Sequence, residues 1–182
     1  MTNYVPGHPD PSEYAPHFQG YIDNTTSNAD DVLAALEAQM GELRALVGGL
    51  DPAQAGHRYA EGKWSIREVI GHLADSERVF GYRAMCIARG ETASLPSFEE
   101  KVYASNSPAD RRTLADLLDE LAEQRSANIR MLRALTPESW ARIGTANNLP
   151  ISTRAIAYVI LGHGRHHLRV LRERYFSNLS RA

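Results

Sequence analysis

Three histidines near the carboxyl end have the residue type and the spacing that metal chemistry requires. They lie in the run Gly162-His163-Gly164-Arg165-His166-His167. Residues three or four positions apart are neighbours on one side of a helix, and two imidazoles at that spacing can hold one metal ion. The spacing predicts a metal-binding pair that includes His163, with either His166 or His167 as its second member.

An earlier histidine, His72, is the candidate for a third ligand. It shares a helical column with Val69, Ser76 and Val79 at the margin of an apolar stripe, so its ring can face a protein interior. Three neutral imidazoles leave one coordination position open for water or a substrate, as in catalytic zinc sites.

Three acidic residues lie within a turn or so of His72 and are candidates to assist it. They are Glu68, Asp75 and Glu77. A carboxylate that accepts the distal N–H of a ligating histidine orients the ring, and a carboxylate near the reacting groups can serve as a general base. The spacing does not choose among the three.

Four amphipathic segments must position these side chains. Apolar residues recur in each at the i, i+3, i+4, i+7 spacing of a helix, and no segment shows the sustained alternation of a half-buried strand. The predicted helices span residues 29–47, 66–89, either 107–135 or 113–135, and 152–175. The predicted fold is all-α, a four-helix bundle of the up-down type with long connections after the second and third helices.

Capping and helix-breaking residues predict where these helices begin and end. Ser65 and Glu68 have the spacing of a capping box at the start of the second helix, and Ser107 and Thr113 are alternative caps for the third. The connections 91–107 and 137–151 contain glycine, proline, serine or asparagine and are predicted to be long loops.

The phase of the last helix predicts where its histidines point. Ile156, Ile160, His163 and His167 fall on one column of this helix. Because the apolar members of the column are expected to face the core, we expect this pair of imidazoles to be buried.

Length and composition set the class of protein. The chain has 182 residues, of which 43% are hydrophobic and 23% charged, which is typical of a globular protein. We expect a single domain over residues 1–182, in which the proline-rich residues 1–23 form an extended N-terminal segment. The formal net charge of −2 gives no electrostatic reason to bind nucleic acid.

The same sequence indicates the cellular location. The single cysteine, Cys86, cannot form an intramolecular disulfide and fits a reducing compartment. The amino terminus lacks the pattern of a secretory signal, and no stretch approaches the ~20 apolar residues that cross a bilayer. We therefore expect a cytoplasmic protein that does not enter a membrane.

Two motifs that contain these histidines resemble a known family. The runs Lys63-Trp64-Ser65-Ile66-Arg67-Glu68 and Gly71-His72-Leu73-Ala74-Asp75-Ser76-Glu77-Arg78 resemble the second helix of the DinB-like superfamily, in its YfiT-type branch of metal-dependent hydrolases. The run Gly162-His163-Gly164-Arg165-His166-His167-Leu168-Arg169 resembles the fourth helix of that branch. Two further runs, 13–16 and 111–114, also match, so that the similarity extends over almost the whole chain.

This resemblance implies a site and an activity. It implies a four-helix bundle, often dimeric, in which His72, His163 and His167 hold a divalent metal, most simply zinc or nickel. Members of the superfamily include thiol S-transferases that use a low-molecular-weight thiol such as bacillithiol or mycothiol. The family pattern often has an Asp after the aromatic residue of the loop that follows helix two, where this chain reads Phe98-Glu99-Glu100.

Two classes of function follow from these observations. The first is a metal-dependent enzyme, either a hydrolase or a thiol S-transferase, that acts on a small-molecule substrate in stress or detoxification. The second is a non-catalytic, metal-stabilised bundle that serves a binding role. Trp64 is interpreted either as packing at a helix boundary or as the wall of a pocket.

Overall fold

A computed structural model describes residues 4–25 and 31–177. Helices account for most of this part of the chain, which confirms the all-α four-helix prediction. The helices, numbered in chain order, are α1 (Gln19–Asp23), α2 (Val32–Val47), α3 (Pro52–Ala55), α4 (Ile66–Ala88), α5 (Glu100–Asn106), α6 (Leu114–Arg133), α7 (Pro137–Ala141) and α8 (Thr153–Val170). The strands are β1 (Ile143–Ala146) and β2 (Leu149–Ser152), and α8 continues as a π-helical segment, Leu171–Phe176.

The four long helices, α2, α4, α6 and α8, form a bundle in which two consecutive helices run parallel. Both α2 and α4 pack against α6 and α8. Leu117 of α6 lies beside Gly71 of α4, and Asn128 lies beside Gly81 further along, so α4 and α6 point the same way and depart from simple up-down order. The chain must therefore return along the bundle between them, about 35 Å for a helix of 23 residues.

Capping residues begin the long helices where the sequence predicted or allowed. The Ser65 Oγ accepts from the Glu68 backbone N–H at 3.1 Å, and the Glu68 carboxylate accepts from the Ser65 N–H at 2.8 Å, which confirms the capping box. Thr113, not Ser107, caps α6 by accepting from the Asp116 N–H at 3.2 Å. The predicted first residue of the first helix, Ala29, lies outside the described residues, and Asp31 caps α2.

The connection predicted as a loop over 137–151 instead contains α7 and most of a β-hairpin. In the antiparallel register, Ile143 pairs with Ser152 and Ala146 with Leu149. The two turn residues, Asn147 and Asn148, have φ of 52° and 59°, values that asparagine tolerates better than most residues and that two-residue hairpin turns require. Strands of four residues are too short to show alternation in sequence.

The N-terminal segment contains short helical turns from residue 11 onwards. It forms 3-10 turns at Pro11–Glu13 and Pro16–Phe18 and then α1. Each 3-10 turn starts with proline, whose fixed φ suits the first position of a helical turn. Tyr14, between the turns, is buried and pairs with Ile151 of the hairpin, so the segment packs against the bundle.

The core consists of two apolar clusters with a polar layer between them. On α8, residues 155–161 belong to one cluster, and Leu168, with Leu171 just beyond the helix, belongs to the other. His163 and His167 lie between. The same interruption occurs on α2 at Gln39 and on α6 at Arg125, both buried. Buried polar groups need partners, and this layer contains the candidate site. No helix in the described ranges is long and apolar enough to span a membrane.

Candidate metal centre

Three imidazoles meet in the polar layer. The Nε2 atoms of His72 and His163 lie 3.1 Å apart, and those of His167 and His163 also lie 3.1 Å apart. The three residues are buried, and each offers one nitrogen within 4.8 Å of the others. Helices α4 and α8, distant in sequence, thus bring together the three residues that were predicted as ligands.

The geometry of this cluster fits a divalent metal ion. Four-coordinate zinc with Zn–N bonds near 2.0–2.1 Å holds its ligand nitrogens about 3.4 Å apart, close to the spacing observed. His167 Nδ1 is buried and has no hydrogen-bond partner in the described part of the chain. A shared cation would account for three buried nitrogens at this spacing.

Burial keeps these imidazoles in the form that binds metal. Desolvation lowers the pKa of His72 to about 4 and the pKa of His167 to about 3, with smaller contributions from neighbouring histidines. Desolvation also places the pKa of His163 well below its ordinary value. Metal ligands must be unprotonated, so all three rings are ready to coordinate at neutral pH.

His166 lies outside the cluster. Its ring is half-buried and makes an edge contact with Tyr21, with ring centroids 5.9 Å apart. The Tyr21 ring also contacts His163, at 5.4 Å. The structure therefore selects His167 over His166 as the partner of His163, a choice that spacing alone left open.

The three carboxylates predicted to assist His72 are engaged elsewhere. Glu68 caps α4 and pairs with Arg58. Asp75 is bonded to Arg78 at 3.4 Å, and burial raises its pKa. Glu77 is buried and pairs with Arg125 of α6 at 3.0 Å. Among the described residues, no hydrogen bond joins any of these carboxylates to a site imidazole.

Two cavities reach the cluster from different sides. The tryptophan cavity, about 650 Å³, is lined by residues that include Trp64, His166 and His167. The phenylalanine cavity, about 350 Å³, is lined by residues that include Phe80 and His163. The Trp64 ring lies 4.8 Å from that of His72, centroid to centroid, so Trp64 is a wall of the site as well as a boundary residue.

Glu100, the first residue of α5, is the carboxylate that sequence reasoning missed. It lines both cavities. Its charge raises the pKa of Tyr21, although burial is the larger cause, and it opposes the lowering of the pKa of His166 by burial. The sequence signal was the run Phe98-Glu99-Glu100, where the family pattern has an aromatic residue followed by Asp. The sequence could not show that this loop lines the cavities at the imidazoles.

The fold and the site together define the class of protein. It is a four-helix bundle with a candidate metal centre of three buried imidazoles, two of which line cavities. The model of the DinB superfamily matches residues 9–171. The chain therefore belongs to the DinB superfamily, which confirms the resemblance.

Individual relatives agree with this assignment. A protein of Geobacillus thermodenitrificans, named as a candidate metal-dependent hydrolase, is 26% identical over 146 residues, which are 76% of this chain and 81% of that protein. YfiT of Bacillus subtilis, similarly named, is 28% identical over 116 residues, 62% of this chain and 64% of its own. The solved structure of YfiT, described as an unusual four-helix bundle, matches with a TM-score of 0.74 and 23% identity over 93% of both chains.

Proposed function

We propose that this protein is a metal-dependent hydrolase that acts on a small molecule, with His72, His163 and His167 as the ligands of a zinc or nickel ion. The observation that carries the proposal is the convergence of three buried Nε2 atoms at 3.1 Å spacings. The hydrolase names of the relatives support it. Such an ion, when bound, lowers the pKa of water toward about 7 and so supplies a nucleophile at neutral pH.

The residues of the chain have separate tasks in this proposal. Burial of the three imidazoles keeps bulk water away from the nitrogens that would hold the ion. Trp64 bounds the tryptophan cavity beside His72. Glu100, at the meeting of the cavities, is placed to accept a proton from the attacking water and to return it to the leaving group.

A second candidate function is thiol S-transfer. The observation that favours it is the presence of two separate cavities, about 650 Å³ and about 350 Å³, at one cluster. A thiol and an electrophile could occupy them at the same time. A bound metal also favours the thiolate form of a thiol, so the same centre would serve this reaction.

Metal analysis and two assays test the proposal. The purified protein is expected to hold one zinc or nickel ion per chain and to hydrolyse a neutral activated ester. His72→Ala is expected to lose both, because it removes one of three ligands. Ester hydrolysis that survives His72→Ala undiminished would exclude a metal-dependent enzyme. Thiol transfer without hydrolysis would favour the second candidate, and bound metal with neither activity would favour the non-catalytic bundle.

The role of Glu100 makes a separate prediction. Glu100→Gln is expected to lower kcat for ester hydrolysis by about 10²- to 10⁴-fold, the usual contribution of a general acid–base group, with the metal content unchanged. Glu138→Gln, which alters an exposed carboxylate on α7, is the matched control and should leave kcat as it is. Equal kcat values in the Glu100→Gln variant and the wild type would remove Glu100 from the mechanism.

A further inference from the structure

The phenylalanine cavity contains a buried cation, Arg83, for which the described part of the chain supplies no carboxylate partner. Arg83 is 7% exposed and lines this cavity. Its Nη2 donates to the Pro96 carbonyl at 2.7 Å, and its guanidinium carbon lies 5.9 Å from the centre of the Phe80 ring. Among the described residues, no Asp or Glu forms an ion pair with it, and burial lowers its pKa.

This arrangement is costly unless something completes it. A buried charge without a counter-charge loses hydration that one carbonyl does not replace. The other deeply buried arginine of the bundle, Arg125, shows the usual solution, because Glu77 lies 3.0 Å from it. A guanidinium offers five N–H donors, and one hydrogen bond to Pro96 leaves most of that capacity for a ligand.

A second unsatisfied group lies in the same cavity. Ser76 is 2% exposed, and its Oγ has no hydrogen-bond partner within the described ranges. It follows His72 by one helical turn on α4 and lines the cavity together with His163. An unpaired buried hydroxyl is unfavourable, so Ser76 and Arg83 mark two positions at which a bound molecule would be polar.

Three phenylalanine rings give this small cavity an apolar wall. Its walls include Phe18, Phe80 and Phe98, and a volume of about 350 Å³ is at the lower end of the range for ligand pockets. Glu99 and Glu100 also line it, but both are exposed. Water screens charges at that position, whereas Arg83 is buried.

We propose that the phenylalanine cavity binds the carboxylate of a small substrate whose body is aromatic or of similar size, with Arg83 donating to the carboxylate and Ser76 donating a further hydrogen bond. The proposal rests on the proposed function, since it names the substrate class of the same site. Binding in this cavity is nevertheless measurable without turnover.

Calorimetry with benzoate and benzamide tests the proposal. The two probes share shape and ring and differ in charge. The zinc-loaded wild type is expected to bind benzoate at least tenfold more tightly than benzamide, a difference of about 1.4 kcal/mol. Arg83→Met should abolish this preference while leaving the benzamide affinity unchanged, and Ser76→Ala should weaken benzoate binding by a smaller factor. Arg133→Met, which alters an exposed arginine, is the control and should keep the preference.

Several results would overturn the proposal. They are undetectable benzoate binding, no preference for benzoate in the wild type, a preference that Arg83→Met leaves intact, and an equal loss of both probes in that variant. An equal loss would mean that Arg83 serves only to hold the loop at Pro96. If Arg83→Met does not fold, Arg83→Lys decides, since lysine keeps the charge but not the paired donors and should reduce the preference at least threefold.

The metal-free protein separates this proposal from the proposed function. A carboxylate can also bind a metal directly, so the preference for benzoate must persist after chelation and must still depend on Arg83. A protein that hydrolyses neutral esters but fails this test has the proposed function without the carboxylate site. A protein that passes it and binds no metal has the carboxylate site without the proposed function.

Discussion

His163 is the central residue of the candidate metal centre, because its Nε2 lies within 3.1 Å of both other imidazole nitrogens. His72 and His167 approach it from different positions, one on α4 and one four residues further along α8. Loss of His163 therefore removes the nitrogen that lies closest to both other imidazoles, whereas loss of His166 changes only a cavity wall.

This difference predicts metal content at the scale of single residues. His163→Ala should lower the zinc or nickel content of the purified protein at least tenfold, because two imidazoles rarely hold these ions tightly. His166→Ala, the matched control on the same helix, should retain it. Elemental analysis of both variants makes the comparison, and equal losses would show that His166 also binds the ion.

At the scale of elements, α1 and α8 pack so closely that no side chain would fit at Gly162 of α8. A Cβ added at Gly162 would lie 1.9 Å from the backbone oxygen of Tyr21. Glycine at this position of α8 lets the N-terminal segment approach and brings the Tyr21 ring against His163. Backbone atoms cannot move aside as a flexible side chain can.

Gly162→Ala is therefore expected to lower the free energy of unfolding by about 1–3 kcal/mol and to reduce metal content by displacing Tyr21. The matched control is Gly41→Ala on α2, where an added Cβ meets nothing within 4 Å. That change should raise the stability by about 0.5–1 kcal/mol. Urea titrations of both variants test the pair, and a Gly162→Ala protein as stable as the wild type would contradict the close packing.

The carboxylate of Glu13, which is buried, links the N-terminal segment to the start of α8. Glu13 accepts from Ser152 Oγ at 2.7 Å and from Arg154 Nε at 3.0 Å, and also from the Asp10 N–H. Burial by itself would raise the pKa of Glu13, but these hydrogen bonds and the charge of Arg154 outweigh it and lower the pKa below its usual value. The charged form is thus stabilised in the folded state.

The pH dependence follows with a definite sign. A carboxylate whose pKa is lower in the folded state stabilises the fold above its unfolded pKa of about 4.3 and loses that contribution as pH falls through the folded pKa. Glu13→Gln should cost about 2 kcal/mol at pH 7, and the difference from the wild type should shrink below about pH 4. Urea titrations at several pH values measure it, with Glu37→Gln, an exposed residue, as the control. A difference that does not depend on pH would contradict the role of the charge.

At the scale of the whole molecule, one buried polar network joins all four long helices. Arg125 of α6 donates to the Leu36 carbonyl of α2 at 3.0 Å and pairs with Glu77 of α4 at 3.0 Å. Gln39 of α2 accepts from Arg125 at 3.1 Å and donates to the Leu161 carbonyl of α8 at 3.0 Å. This network fills the polar layer beside the imidazoles and fixes how the helices stack.

Arg125→Met should be strongly destabilising, by about 3–5 kcal/mol, because it leaves the Glu77 carboxylate buried without a counter-charge. Arg133 lies on the same helix as Arg125 and forms an exposed ion pair with Glu37 of α2. Arg133→Met breaks that pair and should lower the free energy of unfolding by less than about 1 kcal/mol. Denaturant midpoints of the two variants provide the measurement. Similar midpoints would mean that the buried network contributes no more than a surface ion pair.

Local patterns in the sequence determined the four helices, the Ser65 cap of α4 and the columns that contain His72, His163 and His167. These features depend on helical periodicity and on hydrogen bonds between residues close in sequence, so they can be predicted from the amino-acid sequence alone. The family resemblance added the choice of His167 over His166. The short hairpin and the turns of residues 11–18 were missed because each involves too few residues to show a period.

Only the tertiary structure decided which distant residues share the site. Glu100 lines both cavities at the imidazoles. Arg83 lines the phenylalanine cavity and has no carboxylate partner among the described residues, and Glu77 pairs with Arg125. The parallel course of α4 and α6 was likewise not visible in the spacing of their apolar residues. The physical reason is that periodicity specifies which face of a helix is buried, whereas the packing of all helices together specifies what that face meets.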